Sequence, residues 1–165
     1  MMRKLPFMAV LLLLVSVSVR AQDKVEMFGG YSYQRVDASP SFNLNGWEFS
    51  GQYKTAGWLG FVADFDGHYG SPSGISTSTH HYLFGPQVSW PARVSPFAHV
   101  LIGAGHLNFG GLGDTSFSTA IGGGIDTRLV PRIYWRVIQG DYIYTHYFGS
   151  TQHNARLSTG IVFRF

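Results

Sequence analysis

Nine ionisable residues alternate along the chain with large apolar ones, a spacing that places side chains together on one face of a β-strand. They are Glu26, Glu48, Asp64, Asp66, Asp126, Arg128, Arg136, Arg156 and Arg164. Carboxylates and guanidinium groups turned into a narrow interior persist only as hydrogen-bonded ion pairs. We therefore expect these nine side chains to form one buried charge network.

The order of the segments predicts which charges meet. Glu26 stands near the start of the first segment and Arg164 near the end of the last, so closure of a barrel makes them neighbours. Arg136 stands a few residues from its turn, at about the level of Glu48 and Asp64. Such a network can be a gated ion path or a sealed electrostatic plug. The narrow interior of a small barrel favours the plug.

Histidines are the remaining residues that could carry chemistry. Six of the seven fall towards one end of the segments, where a metal could be held: His68, His80, His81, His106, His146 and His153. Only His80 and His81 are adjacent, and neighbours on a strand point to opposite faces, so the two cannot chelate one ion together. We therefore predict no metal site, no catalytic residue and no cofactor.

Eight strands are needed to position these residues. Segments of about ten residues with alternating polarity occur at 24–35, 44–53, 58–69, 78–90, 95–107, 116–129, 132–144 and 154–165. No stretch after residue 21 approaches the ~20 apolar residues of a membrane-spanning helix. The pattern predicts an all-β fold, an eight-stranded antiparallel up-and-down transmembrane β-barrel.

The connections alternate in length. Those at 54–57, 91–94 and 130–131 are short, whereas those at 36–43, 70–77, 108–115 and 147–153 are longer and rich in Gly, Ser, Asn and Asp. Short turns at one end and long loops at the other predict an outer-membrane barrel with both termini in the periplasm.

Three irregularities accompany the strand pattern. The facing of the fifth segment is open, because 97–102 is apolar on both sides except for His99. The alternation slips near Gln139 and Gly140, which predicts a β-bulge. Pro86 lacks the N–H that a closed ladder uses, so we expect a local defect there.

The first 21 residues resemble an export signal. Arg3 and Lys4 precede an apolar stretch at 6–15, and 19–21 offers small side chains for cleavage after Ala21. Removal of 1–21 leaves a barrel domain at 22–165 and lowers the Lys plus Arg count from 12 to 9, equal to the 9 Asp plus Glu. A mature chain with no net charge and no basic cluster excludes a nucleic-acid surface.

Composition decides which face of the barrel is apolar. The chain is 16% aromatic and 13% charged, and it contains 21 Gly and no Cys. The ionisable strand residues share one face with Gly and Ser, the small residues that a narrow interior requires. The aromatic residues therefore face outward into lipid, whereas a soluble lipocalin-like barrel would hold its apolar face inside.

The last strand carries a recognisable pattern. Its end at 160–165 has Ile161, Phe163 and Phe165 at alternate positions, and it resembles the C-terminal signal that the barrel-insertion machinery recognises. Together with 122–126, 136–142 and 152–156, it makes the mature chain similar to the outer-membrane β-barrel family of the OmpA membrane domain and OmpX. The resemblance implies an eight-stranded barrel in the bacterial outer membrane, without an appended peptidoglycan-binding domain.

This resemblance implies a structural or surface-interaction role, with an extracellular ligand at the long loops. A narrow gated channel is the alternative. A lipid-modifying enzyme is the third possibility, because outer-membrane lipid A deacylases and palmitoyl transferases are also eight-stranded barrels. The deacylases pair a histidine and a serine as His-x-Ser, and no His-x-Ser occurs in this sequence. We therefore predict that the protein is not an enzyme.

Overall fold

A computed structural model describes residues 24–165, so the predicted signal peptide at 1–21 lies outside the described residues. The described chain is a meander of eight strands joined by short connections. Their bounds are β1 Val25–Val36, β2 Phe42–Lys54, β3 Leu59–Gly70, β4 Thr77–Ser89, β5 Val94–Phe109, β6 Leu112–Val130, β7 Ile133–Tyr147 and β8 Ser150–Arg164. One helical turn, Pro72–Gly74, stands between β3 and β4.

The sheet closes on itself. Each strand pairs antiparallel with the next along the chain, and β1 also pairs with β8, which leaves no free edge. Glu26 stands directly opposite Arg164 in the β1–β8 ladder, as closure of the barrel predicts. The predicted eight-stranded antiparallel up-and-down barrel is confirmed.

Polarity is inverted relative to a soluble globular protein. Among residues 24–165, 27 buried side chains are polar or charged and 13 are apolar. The large apolar side chains instead stand on the outer face, and Trp90 exposes 71% of its surface. On β5 the side chains of Phe97, His99 and Leu101 point inward, which resolves the facing of this strand.

Charges on the outer surface are confined to the two ends of the barrel. The charged residues of the described chain that are not buried are Lys24, Arg35, Asp37, Arg93, Asp114, Arg128 and Arg132. Each lies in a connection, at a strand end, or within the first or last three residues of a strand. The middle of the outer face is therefore an uncharged apolar band.

We call the end that holds 37–41, 71–76 and the turns at 110–111 and 148–149 the loop end, and the opposite end the terminus end. The prediction of long loops at 108–115 and 147–153 is wrong. There the strands continue into two-residue turns, in which Gly110, Gly111, Phe148 and Gly149 all have positive φ. Two successive positive φ angles match the right-handed twist of a hairpin, so the ladder extends to its tip.

Two strand irregularities are observed. Val137 and Ile138 both face outward, and the register of β7 against β8 shifts between Arg136 and Gln139. This bulge at 137–138 lies just before Gln139 and Gly140, where the sequence pattern predicts it. At Pro86 the β4–β5 pairing is interrupted without a change of register, because proline has no N–H to donate.

Candidate functional site

Arg156 lies at the centre of the polar lumen. It projects inward from β8, directly opposite Asp141 on β7, and its side chain is fully buried. Its Nη2 lies 2.6 Å from Asp141 Oδ2, and its Nη1 lies 3.0 Å from Asp64 Oδ1. Nη1 also donates to Asp66 Oδ2, and Nε lies 3.5 Å from Glu48 Oε2. One guanidinium group therefore faces four carboxylates, and we call these five residues the Arg156 cluster.

A second group of charges lies towards the terminus end, where cations outnumber carboxylates. Arg164 Nε lies 2.7 Å from Glu26 Oε1, which also contacts Lys54 Nζ. Arg136 Nε donates to Asp126 Oδ1 at 2.9 Å, and Arg164 Nη2 lies 3.3 Å from Asp126 Oδ2. Three cations therefore share two carboxylates, and we call these five residues the terminus-end cluster.

Arg136 and Gln139 connect the two clusters. The Arg136 guanidinium carbon lies 4.2 Å from the ring centres of both Phe28 and Phe97, in cation–π geometry. Its Nη1 donates to Gln139 Oε1 at 2.6 Å, and Gln139 Nε2 donates to Glu48 Oε1 at 2.8 Å. A continuous chain of hydrogen bonds therefore runs along the lumen from one cluster to the other.

Eight of the nine predicted network residues are buried inside the barrel. Arg128 is exposed at the terminus-end mouth, so its assignment to the buried network is wrong. It pairs with Tyr134, an inward residue of β7, and therefore keeps the inward alternation of β6, but it stands beyond the buried part of the lumen.

The expected partners of Arg136 also differ from those observed. Arg136 binds Asp126 and Gln139, whereas Arg156 contacts Glu48 and Asp64. The bulge at 137–138 accounts for the difference, because it changes how the inward residues of β7 align with β6 and β8. Because of the same bulge, strict alternation along β7 would place Asp141 on the outer face, although its side chain points inward.

His99 and Lys54 are further lumen residues that the sequence analysis did not assign. His99 Nε2 lies 2.7 Å from Asp141 Oδ1. The ambiguous facing of β5 concealed His99, although a single polar residue in an apolar run is itself a signal. The C-terminal residues Phe163 and Phe165 are exposed on the outer face, and Ile161 is partly exposed.

Ser32, His68 and Asp66 resemble a catalytic triad at first sight. His68 Nε2 lies 2.8 Å from Ser32 Oγ, and His68 Nδ1 lies 3.3 Å from Asp66 Oδ1. Ser32 is fully buried, so no substrate can approach its hydroxyl. Ser158 Oγ donates to Glu48 Oε2, which leaves Ser32 Oγ to donate to Ser158 Oγ at 2.9 Å. His68 Nε2 must then donate to Ser32, whereas a general base has to accept that proton.

One group in the described chain has the geometry to hold a metal ion. Asp66, His68 and His81 each offer one ligand atom, and these atoms all lie within 4.8 Å of one another. All three side chains are buried in the lumen.

An apolar cleft of about 630 Å³ opens at the loop end. Residues of the connections at 37–41, 71–76 and 148–149 line it together with strand residues on both sides of the 110–111 turn, and its apolar members include Pro40, Phe42, Ile75, Leu107, Phe109, Leu112 and Phe148. Leu112 exposes 70% of its surface, although it adjoins other apolar side chains. The cleft therefore offers a concave apolar surface next to the outer rim of the barrel.

The part of the chain that the structure describes contains no helix long and apolar enough to cross a membrane. No family model matches the sequence, and no curated protein matches it either.

Solved structures resemble this one over nearly its whole length. Neisserial surface protein A matches with a TM-score of 0.74 at 14% identity, covering 88% of this chain and 100% of its own. The attachment invasion locus protein Ail of Yersinia pestis matches with a TM-score of 0.60 at 18% identity, covering 87% and 100%. The N-terminal β-barrel domain of Pseudomonas aeruginosa OprF matches with a TM-score of 0.55 at 12% identity, covering 88% and 100%. The chain therefore has the fold of the small eight-stranded outer-membrane β-barrels, to which the OmpA membrane domain and OmpX belong.

Proposed function

We propose that the protein is exported to the bacterial outer membrane, spans it as a barrel with a sealed lumen, and binds an apolar ligand at the cell surface. The cleft at the loop end carries this proposal, because it is a concave apolar site built from three of the connections and the neighbouring strand ends. The barrel then serves as a rigid support for the cleft.

Membrane insertion is supported by the uncharged apolar band on the outer face. A monomeric soluble protein rarely exposes so much contiguous apolar surface. Outer-membrane barrels carry such a band against lipid, with aromatic residues near both interfaces. The exposed aromatic side chains Trp47, Trp58 and Trp90 agree with this arrangement.

We further propose the route to the membrane. Residues 1–21 would direct export and be removed, and Ile161, Phe163 and Phe165 would be recognised by the barrel-insertion machinery. Phe163 and Phe165 are exposed on the same face of β8, so an insertion factor can reach both. The terminus end would then face the periplasm and the loop end the extracellular side.

The composition of the loop-end connections favours an apolar ligand over a polyanion. Ail has been crystallised with the heparin analogue sucrose octasulfate. In this chain the stretches 36–43, 70–77, 108–115 and 147–153 contain no Lys or Arg. Among residues 24–165, Arg35 is the one exposed Lys or Arg at this end, where it donates to Ser41, so a sulfated ligand would find a single guanidinium group, whereas an acyl chain or an apolar side chain would be removed from water.

A gated channel and an enzyme are both less well supported. The hydrogen-bonded charges cross the lumen from one cluster to the other, which favours the plug over an ion path. The one serine–histidine–aspartate arrangement described above is buried and has the wrong direction of proton donation for a general base.

The ligand proposal can be tested by titrating the detergent-extracted barrel with a fluorescent fatty acid. Leu112→Asn should weaken binding at least about ten-fold, because a polar amide in the cleft lowers the apolar area available to the acyl chain. Leu129→Asn is the matched control, since Leu129 is exposed on the same strand at the opposite end. Equal binding by the two variants, or no binding by the unchanged protein, would refute the ligand proposal.

A further inference from the structure

The strand register brings Asp66, His68 and His81 together. Asp66 and His68 stand two residues apart on β3, so both point into the lumen. His81 stands directly opposite Asp66 in the β3–β4 ladder. His81 Nδ1 lies 2.8 Å from Asp66 Oδ1, and His68 Nδ1 lies 3.3 Å from the same oxygen. Two ring nitrogens therefore converge on one carboxylate oxygen.

His68 Nδ1 has no hydrogen-bond partner although it is fully buried. With Ser158 donating to Glu48 and Ser32 donating to Ser158, the other nitrogen, Nε2, donates to Ser32, and in that tautomer the ring presents a lone pair at Nδ1. That lone pair faces Asp66 Oδ1, which is also electron-rich. Two such atoms lie close together in a buried site only when a positive charge, a proton or a metal ion, stands between them.

The Arg156 cluster has an excess of negative charge. Glu48, Asp64, Asp66 and Asp141 are all buried, and Arg156 is their one permanently charged partner among residues 24–165. Uncompensated buried carboxylates are costly, because the interior solvates charge poorly. A cation bound at Asp66 would reduce this excess.

Other buried polar atoms of the lumen also lack a hydrogen-bond partner. His81 Nε2, Gln34 Nε2 and Tyr147 Oη are buried and have no hydrogen-bond partner. A side-chain carbon placed on Gly105 would lie 2.1 Å from Tyr147 Oη and 2.9 Å from His81 Cδ2, so Tyr147 and His81 meet over this glycine. The lack of a side chain at Gly105 leaves room for the Tyr147 hydroxyl beside the His81 ring.

We propose that Asp66, His68 and His81 bind one divalent transition-metal ion of the zinc class inside the lumen. Two imidazole nitrogens and one carboxylate oxygen are the donor set that such ions take in proteins, and hard ions such as Mg²⁺ prefer oxygen alone. Metal–ligand bonds of about 2.0–2.2 Å place neighbouring ligand atoms of a tetrahedral site roughly 3.4 Å apart. The 3.3 Å between His68 Nδ1 and Asp66 Oδ1 fits that spacing, whereas the 2.8 Å between His81 Nδ1 and Asp66 Oδ1 is a hydrogen-bond distance that must lengthen when the ion binds.

A metal-bound nitrogen carries no proton, so a neutral His81 ring would hold its proton on Nε2 when Nδ1 binds the ion, and the ion gives the lone pair of His68 Nδ1 a partner. The ion then links β3 to β4 on the inner side of the barrel. Its role is structural, because the ligands are fully buried and no substrate can reach them.

Histidines on the outer surface must be replaced before metal binding in the lumen can be measured. His80 and His106 face each other across β4 and β5 on the outer side, where they could bind metal by themselves. A His80→Gln, His106→Gln background removes this pair. The full-length protein in that background is extracted in detergent, unfolded in urea, refolded with Co²⁺ or Zn²⁺, and dialysed against metal-free buffer.

We expect one retained metal ion per barrel and the visible absorption of four-coordinate Co²⁺. His68→Gln and His81→Gln should each abolish retention, whereas His99→Gln, a buried histidine bound to Asp141, should keep it. Zn²⁺ should raise the thermal midpoint of the background protein and leave that of His68→Gln unchanged.

X-ray absorption spectroscopy of the zinc-loaded His80→Gln, His106→Gln protein identifies the metal ligands directly. It therefore tests the proposal even if the His68 or His81 variant fails to fold. Two imidazoles and a carboxylate around the ion would support it. The proposal is overturned if no metal is retained, in which case a proton occupies the gap between His68 and Asp66. It is also overturned if His68→Gln and His81→Gln retain the ion, or if His99→Gln loses it.

Discussion

Arg156→Met removes the guanidinium group from the centre of the lumen while preserving most of the side-chain volume. Arg156 is fully buried and donates to Asp64, Asp66 and Asp141. Removing one partner of a buried ion pair costs about 3–5 kcal/mol, because the other charge is left uncompensated. Here three carboxylates lose the same partner. We therefore expect the free energy of unfolding to fall by at least about 4 kcal/mol, a value within that range.

Substitutions of two other arginines give reference values for this loss of unfolding free energy. Arg136→Met should cost less, about 3 kcal/mol at most, because Asp126 keeps Arg164 at 3.3 Å. Arg93→Met is the exposed control in the turn between β4 and β5, and surface substitutions usually change stability by less than about 0.5 kcal/mol. The expected order of destabilisation is Arg156, then Arg136, then Arg93.

Urea unfolding of the refolded barrel, followed by tryptophan fluorescence, measures all three variants. Adding Asp64→Asn to Arg156→Met should recover part of the loss, since one carboxylate fewer is left without a partner. If Arg156→Met does not fold, Arg156→Lys keeps one charge and gives a measurable intermediate. A midpoint for Arg156→Met equal to that of Arg93→Met would refute the assignment of Arg156 as the centre of the network.

Three other predictions follow from the closed, filled barrel. Unboiled protein should migrate faster than boiled protein on a detergent gel, because a closed ladder has no edge from which to unzip; identical mobilities would argue against the barrel. The protein in planar bilayers should show no steady conductance, and regular current steps would contradict the plug. Gly30→Ala should destabilise the barrel by about 1–3 kcal/mol, because the new carbon would lie 2.1 Å from the Thr159 carbonyl oxygen. Gly51→Ala is its control, with no atom within 4 Å, and equal unfolding midpoints would contradict the steric argument.

Strand number and facing could be predicted from the sequence because the side-chain period of a strand is two. The opposition of Glu26 and Arg164 followed from closure alone, without any knowledge of loop geometry. The ends of the strands could not be predicted in the same way. Gly110 and Gly111 look like parts of a long loop, but their positive φ angles make them a hairpin tip between two extended strands.

The lumen network was harder to predict because one extra residue changes every later assignment on a strand. The bulge at 137–138 concealed Asp141, and the alternation alone does not show that Arg128 stands at the open mouth, where it is exposed. The histidines were compared only as neighbours in sequence. The relevant pair is Asp66 and His68, two residues apart and therefore on one face, with His81 opposite them in the ladder.

The sealed lumen and the proposed metal site both depend on the balance of charges buried in the barrel. The buried charges of the described chain comprise six carboxylates and four permanent cations, so two negative charges lack a permanent partner. The terminus-end cluster has the cation excess, which places the whole deficit in the Arg156 cluster next to Asp66, His68 and His81. A divalent ion, like protons on the buried carboxyl groups, would offset this negative charge. A lumen that is sealed against water must be close to neutral to be stable, so a sealed barrel and an occupied cation site support each other.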